Sequence, residues 1–326
     1  MLVKVEGNML VSVVIPVKNG DYWLKDTLNA IFRQKIDGSL EVIVIDSGST
    51  DKSLEIVGQY PVRLVKIDSR EFNHGLTRNL GAQLAEGEFV TMTVQDAMPC
   101  DEYWLQRLLD GFVDENVAGV CGQQVVPHHT DKNPISWFRP QSEPAIRTFR
   151  FTPAEFESLS PDMKRQVCSW DDVTAMYRKA ALMQVPFQKV SFAEDVLWAK
   201  HALLKGYTLV YNTAARVYHY HHYPPEQVVK RVFTEYFHFY KFFGSKPIPV
   251  ANGLTRKLKD VRLLLSEGSL SVADKWKWYR YNQRIRKELN HAVKLFHQSL
   301  AQGEEELEAM HERLCDGVQA SKPVSV

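Results

Sequence analysis

The polar residues with chemical potential in this sequence cluster where apolar runs stop. The run over residues 11–17 ends at Lys18-Asn19, the run over 41–46 at Asp46-Ser47, and the run over 88–94 at Gln95-Asp96. In an open α/β sheet, ligands bind beyond the carboxyl ends of the strands. One polar strand end is ordinary, whereas carboxylates at two strand ends of one sheet point to a site. Glu194-Asp195 opens a helical pattern over 193–205, where two acids also complement the helix dipole. Trp170-Asp171-Asp172 places a ring beside two carboxylates. His219, His221 and His222 form a dense imidazole cluster in which alternate residues of a strand would share a side. Spacing alone would fit zinc, but no acidic or cysteine partner lies nearby in sequence, and a polar loop is the plain alternative.

The elements that must position these groups alternate. The run VSVVIPV has the β-branched character of a buried parallel strand, followed by Leu24, Leu28, Ile31 and Phe32 at helical spacing. EVIVID is a second strand running into Ser47-Gly48-Ser49-Thr50-Asp51, rich in capping residues. A third strand spans 62–67. Leu76, Leu80 and Leu84 mark a helix in which Gly81, Ala82 and Ala85 allow close packing. A fourth strand over 88–94 and a helix over 101–112 follow. This order predicts an α/β fold, a mostly parallel sheet with helices on both faces. Residues 127–170 read as irregular, and a strand over 208–211 follows the 193–205 helix. From Glu226 the pattern is helical almost to the end, so the expected division is a ligand-binding domain over 1–225 and a helical region over 226–326.

Bulk properties bound the reading. A formal charge of +1 over 326 residues gives no global field selecting nucleic acid. Cys100, Cys121, Cys168 and Cys315 form no CxxC pair and read as reduced thiols of a cytoplasmic protein. Neither a leader nor a membrane span is expected. A dinucleotide fingerprint is missing, because Pro16-Val17-Lys18-Asn19-Gly20 stands where GxGxxG would follow the first strand.

VVIPVKNG, VIVIDSGSTDKS and NHGLTRNLGAQLAEGEFVTMTVQDAMP together resemble glycosyltransferase family 2, with its GT-A fold. Phe72-Asn73-His74-Gly75, Thr77-Arg78-Asn79-Leu80-Gly81, Gln95-Asp96-Ala97, Gly122-Gln123-Gln124, Asn133-Pro134, AEDVLWAKHALLKGY and VYHYHH resemble its bacterial rhamnosyltransferase branch. The resemblance covers roughly residues 10–225, in order. It implies an inverting transferase moving L-rhamnose from dTDP-rhamnose to a cell-surface polysaccharide. The alternatives are another UDP- or dTDP-sugar, or a non-catalytic nucleotide-sugar- or glycan-binding member. The implied donor-nucleotide and diphosphate residues are Pro16, Lys18, Asn19, Asp46, Ser47, Arg78, Gln95 and Asp96. Asp46 would meet the base or cap its own turn, and Arg78 would offer its donor fork to phosphate or lie on a helix surface.

The family's DxD triplet stands here as Val94-Gln95-Asp96, leaving Asp96 alone, helped by His219, to hold Mg2+ or Mn2+ on the diphosphate. Asp195 is the implied base for the acceptor hydroxyl, with Glu194 in support. Trp170, Asp171 and Asp172 would meet acceptor or donor sugar, a packing tryptophan being the alternative. The acceptor is a glycan or lipid-linked glycan.

In the C-terminal region Val229, Phe233, Phe237 and Tyr240 line one helix stripe, expected to pack on the catalytic domain. Residues 256–287 carry ten basic and three acidic side chains with Trp276, Trp278, Tyr279 and Tyr281 interleaved, which suits an anionic membrane surface or a solvated basic helix. Residues 304–312 are acidic, so a helical hairpin or a homodimer contact is a further expectation. These readings place the protein in the cytoplasm or at the inner face of the cytoplasmic membrane.

Overall fold

A computed structural model describes residues 9–127, 133–137, 143–221 and 223–315, so His222 lies outside the described residues. The chain divides into two compact units, Met1–Val125 with Ser142–His219, and Val126–Gln141 with Tyr220–Val326.

In the first unit, β1 (Leu10–Val17), α1 (Leu24–Phe32), β2 (Ser39–Asp46), α2 (Ser53–Val57), β3 (Arg63–Lys66), α3 (His74–Leu84) and β4 (Phe89–Met92) alternate as the sequence predicts. β1 pairs in parallel with both β2 and β4, and β2 with β3. Val11, Val13 and Ile15 share a core with Leu24, Leu28 and Ile31 of α1. On the opposite pleat Val14 meets α3 at Gly81, where an added Cβ would lie 2.3 Å from Val14 Cγ1. The buried face of α3 is accordingly Gly75, Thr77, Arg78, Gly81 and Ala82, while Leu76 is exposed. The leucines that mark the helix in sequence do not form its buried face, and the close packing expected at Gly81 and Ala82 does, bringing helix and sheet together.

Beyond β4 the sheet becomes mixed. β5 (Met98–Pro99), α4 (Trp104–Leu109) and β6 (Val117–Val125) are followed in the second unit by α5 (Pro134–Trp137). The first unit then resumes with β7 (Ile146–Phe149), α6 (Pro153–Ser158), α7 (Pro161–Val167), β8 (Ala175–Arg178), α8 (Lys179–Gln184), α9 (Glu194–Leu204) and β9 (Thr208–Tyr218). The sheet order is β3-β2-β1-β4-β8-β6-β9-β5, with β7 on β9. β8 runs antiparallel to β4 and β6. The stretch expected to be irregular thus holds a strand and short helices. Thr152 and Glu155 form a reciprocal capping box at α6, and Ser160 caps α7. β9 also runs past the expected end at 211.

The second unit contains α10 (Pro225–Phe243), α11 (Leu254–Ser266), α12 (Val272–Gln302) and α13 (Glu304–Cys315). Phe233 of α10, Phe296 of α12 and Leu307 of α13 make its core. The aromatic stripe of α10 therefore packs against α12 and α13 within this unit. The acidic start of α13 meets Lys241, which pairs with Glu304 and Glu308. Trp278 is buried and the Tyr281 hydroxyl donates to Tyr223 O, so both rings are structural.

Candidate active site

Three strand ends converge at one edge. Asn19, in the left-handed region at φ 51°, accepts from Thr50 N–H and takes Ser49 Oγ on its own N–H. Gly20 N–H donates to Ser53 Oγ and Asp21 N–H to Asp51. Asparagine tolerates that backbone region, and the lacing holds the loop after β1 against the loop after β2. Gln95 closes the other side: Lys18 N–H donates to its Oε1 and its Nε2 donates to Lys18 O. A Cβ on Gly20 would stand 2.6 Å from Gln95 Oε1, so glycine admits this clasp. Asp46 is buried and accepts from Gly48 and Ser49 N–H, the turn-capping role open to it from sequence. Ser47 Oγ donates to Val17 O. Pro16 sits in β1 beyond its pairing with β4, where a missing N–H costs no ladder bond. Lys18, Asn19, Asp46, Ser47, Gln95 and Asp96 are thus gathered at one sheet edge.

Asp96 faces His219, which directly follows β9; Oδ1 lies 3.6 Å from Nε2. The other ring nitrogen, Nδ1, is 2.7 Å from Gln124 Oε1, and Gln124 Nε2 donates to Asp171 Oδ2. A carboxylate only accepts, so Asp171 fixes the orientation of the Gln124 amide and leaves its oxygen toward His219. That oxygen only accepts as well, so Nδ1–H donates to it and Nε2 is the ring nitrogen that faces Asp96. A histidine held through one ring N–H in this way offers the other nitrogen to a metal, and the 3.6 Å spacing suits two ligands about 2.1–2.2 Å from a shared cation. Gly122 makes the alignment possible. The register between β6 and β9 jumps there from Cys121↔Tyr211 to Gln123↔Arg216, and a Cβ would lie 2.3 Å from Ala215 O.

A second network lies beside the first. Arg78 is 3% exposed; its Nη1 donates to Glu194 Oε1 at 2.6 Å, and its Nε stands 3.1 Å from Asp172 Oδ2. Tyr177 donates to Asp172 Oδ1, and Trp170 Nε1 donates to the Tyr177 oxygen at 2.7 Å. Asp195 is half-buried and accepts from Asp172 N–H and Val196 N–H. Three acids, Asp172, Glu194 and Asp195, thus act on one arginine. Burial pushes Asp172 up to about 7, with Arg78 pulling against it and Glu194 adding to the rise. Burial and the charges of Glu194 and Asp172 hold Asp195 well above the usual carboxylate range. Asp171 and Asp172 are adjacent in the chain and link the two networks.

Two expectations are corrected. Arg78 is neither a phosphate-facing fork nor a surface residue; its guanidinium is taken up by Asp172 and Glu194. Trp170 is 3% exposed, its ring centre 5.3 Å from those of both Trp198 and Tyr211, so it packs and cannot stack on a sugar. Sequence reasoning also passed over Gln124 and Tyr177 as site residues. Gln124 follows a glycine inside a strand, a signal for a bulge, while a tyrosine in an apolar strand gives no such sign.

The motif around α3 has a mechanical explanation. Asn73 caps the helix through Leu76 N–H and donates to Val190 O. Asn79 exchanges two hydrogen bonds with Phe187. A Cβ on Gly75 would lie 2.6 Å from Gln188 O. These residues hold the segment that delivers Glu194 and Asp195 to the site.

The family model described as glycosyl transferase family 2 matches residues 12–184. An O-antigen chain rhamnosyltransferase of Salmonella anatum is 34% identical over 64% of this chain and 65% of its own length, just under two thirds. A second O-antigen chain rhamnosyltransferase, from Salmonella typhimurium, is 30% identical over 71% of this chain and 73% of its own. Among solved structures, a mannosyltransferase from Pyrobaculum calidifontis in complex with GDP-Man and Mn2+ has the same fold, with a TM-score of 0.52 and 16% identity over 92% of this chain and 77% of that one.

Proposed function

Because the chain belongs to glycosyl transferase family 2, we propose that it is an inverting transferase moving L-rhamnose from dTDP-rhamnose to a glycan acceptor in polysaccharide assembly. The O-antigen rhamnosyltransferases similar to it support the sugar and the polymer. The observation that carries the reading is the pair of joined networks at one sheet edge, a metal-competent Asp96–His219 pair on one side and a raised-pKa carboxylate, Asp195, on the other.

In this reading the nucleotide lies over the loops after β1, β2 and β4, with Asp46 and Ser47 toward the base and Pro16, Lys18, Asn19 and Gln95 lining the nucleotide and diphosphate. Asp96 and His219 would hold a divalent cation; oxygen ligands suit Mg2+ and Mn2+, and the imidazole favours Mn2+. When bound, that cation would neutralise charge on the departing diphosphate. Asp195 takes the proton from the acceptor hydroxyl. The acceptor oxygen then bonds to the anomeric carbon from the face opposite the leaving group, and the bond from that carbon to the diphosphate oxygen breaks, inverting the centre. A carboxylate held above the usual range is a stronger proton acceptor and is suited to this transfer. Asp172 orients it through its N–H, with Arg78 as counter-ion to Asp172 and Glu194.

A panel of dTDP- and UDP-sugars with the full-length protein tests the reading. Transfer or donor hydrolysis should be greatest with dTDP-rhamnose; failure to hydrolyse, transfer or bind any of them would refute it. Asp195→Asn should lower transfer by about 10²–10⁴-fold with donor affinity retained. Lost donor affinity instead would remove the assignment of Asp195 as base.

A further inference from the structure

Helix α11 turns its polarity inside out. Its buried positions are Asp260 and Leu264. Its outward positions include Leu254, Leu258, Val261 and Leu265, which are 73%, 59%, 38% and 68% exposed. Their spacing puts all four on one narrow stripe, so the helix presents more apolar surface outward than inward. A helix that only packed on its neighbours would place these residues the other way round.

The charges are sorted to match. The only acid of α11, Asp260, is buried and paired with Arg286 and Arg256. The remaining ionisable residues, Lys257, Lys259 and Arg262, are all basic. By helical position Lys257 borders the stripe on one side and Arg262 on the other. Lys275 Nζ reaches Leu265 O at 3.4 Å, which brings the start of α12 to the end of α11. That start adds exposed Val272 and Trp276, four residues apart on one helix face, with Lys275 and Lys277 beside them. Among the described residues no helix is long and apolar enough to cross a membrane.

We propose that α11, with the first turns of α12, is a docking surface for an anionic lipid bilayer, lying in the headgroup layer with Leu254, Leu258, Val261 and Leu265 inserted. On α11 the apolar stripe is bordered by basic side chains with the helix's one acid withdrawn, and at the start of α12 Asp274 is engaged by Ser271 beside Lys275 and Lys277, so the balance of the surface is basic and complementary to such a bilayer. Lysine and arginine stems extend along the apolar layer while their charges reach the phosphates. A second copy of the chain would supply another basic rim to this one and is disfavoured by charge. The proposal does not depend on the sugar or the acceptor.

Sedimentation of the full-length protein with phosphatidylglycerol-containing vesicles, against vesicles of phosphatidylcholine alone, tests it. Binding should require the anionic lipid and weaken as salt rises. Leu258→Ser with Leu265→Ser should lower the partition coefficient at least about tenfold. Lys259→Glu with Arg262→Glu should lower it comparably on anionic vesicles. Both pairs lie on the exposed side of the helix, so circular dichroism and nucleotide binding should match the parent protein. No binding to anionic vesicles would overturn the proposal. So would binding that ignores both double variants, or a dimer in light scattering that the leucine variant dissociates without any change in vesicle binding.

Discussion

Removing the Arg78 guanidinium would leave Asp172 and Glu194 buried against one another without their shared counter-ion. Breaking a buried pair in this way costs about 3–5 kcal/mol, because the orphaned charge stays out of water. Arg78→Met should therefore lower thermal stability sharply, and adding Glu194→Gln should recover part of it. A residue that only gripped diphosphate would instead weaken nucleotide affinity and leave the melting temperature alone, so calorimetric binding and unfolding on the same variants separate the two roles. Gln124 makes the complementary case. Gln124→Leu removes the acceptor that holds His219 Nδ1–H without touching Asp96, and should weaken Mn2+ affinity by about 10–100-fold. Electron paramagnetic resonance of free Mn2+ reads this independently of turnover. Asp195 then sets the pH profile. It must be deprotonated to act, and burial and Glu194 hold its pKa up, so transfer should rise with pH through that raised value. Glu194→Gln removes a neighbouring negative charge and should move the rising limb to lower pH; an unmoved limb would place the titration elsewhere.

The start of α9 shows how an element can be held under strain to aim its side chains. Ala193 caps the helix with φ 58° and ψ 40° and itself offers no side-chain hydrogen bond to the first turn. A non-glycine residue there costs about 1–2 kcal/mol, and such strain gathers at functional sites. Ala193→Gly should stabilise the fold by about 0.5–1 kcal/mol, the remainder being offset by the greater entropy of unfolded glycine. The same change should lower kcat through looser placement of Glu194 and Asp195, with donor affinity unchanged; a variant more stable and equally fast would show that the strain serves nothing. The strands and helices before residue 112 were legible because period and β-branching report burial directly, and Gly81 could be read as a close approach. The core face of α3 was not, since its buried arginine has no apolar signature and depends on acids 94 and 116 residues further along the chain. Asp96 could be singled out from a strand end, whereas His219 and the Glu194-Asp195 pair stood out through the resemblance to the family's motifs. Gln124 and Tyr177 could not, because their roles come from a register shift between β6 and β9 and from pairing across the sheet.

At the scale of the whole molecule, the two units carry opposite titrations. In the first, Asp172 is raised to about 7 and Asp195 is also raised. Their folded state holds protons that the unfolded chain releases, so their contribution is full below about pH 4 and declines as pH rises toward 7. In the second, burial lowers His238, and burial with the His238 charge lowers His311 to about 4. Here the unfolded chain binds protons first, so this contribution is full above about pH 6.5 and is lost as pH falls toward 4. Phe237 stacks on His311 with ring centroids 4.1 Å apart, which keeps the imidazole against an apolar neighbour. The His311 ring is only partly buried, so solvent screening limits the loss to about 1 kcal/mol by pH 5. Amide hydrogen exchange, corrected for intrinsic rates, resolves the two. Between pH 7.5 and 5, opening free energies should fall in α10 and α13 and rise in β4 and β8. His311→Phe keeps the stacking while removing the proton site, and should flatten the response of α10 without altering that of β4. If α10 loses protection equally in the variant, its acid sensitivity arises from groups other than His311.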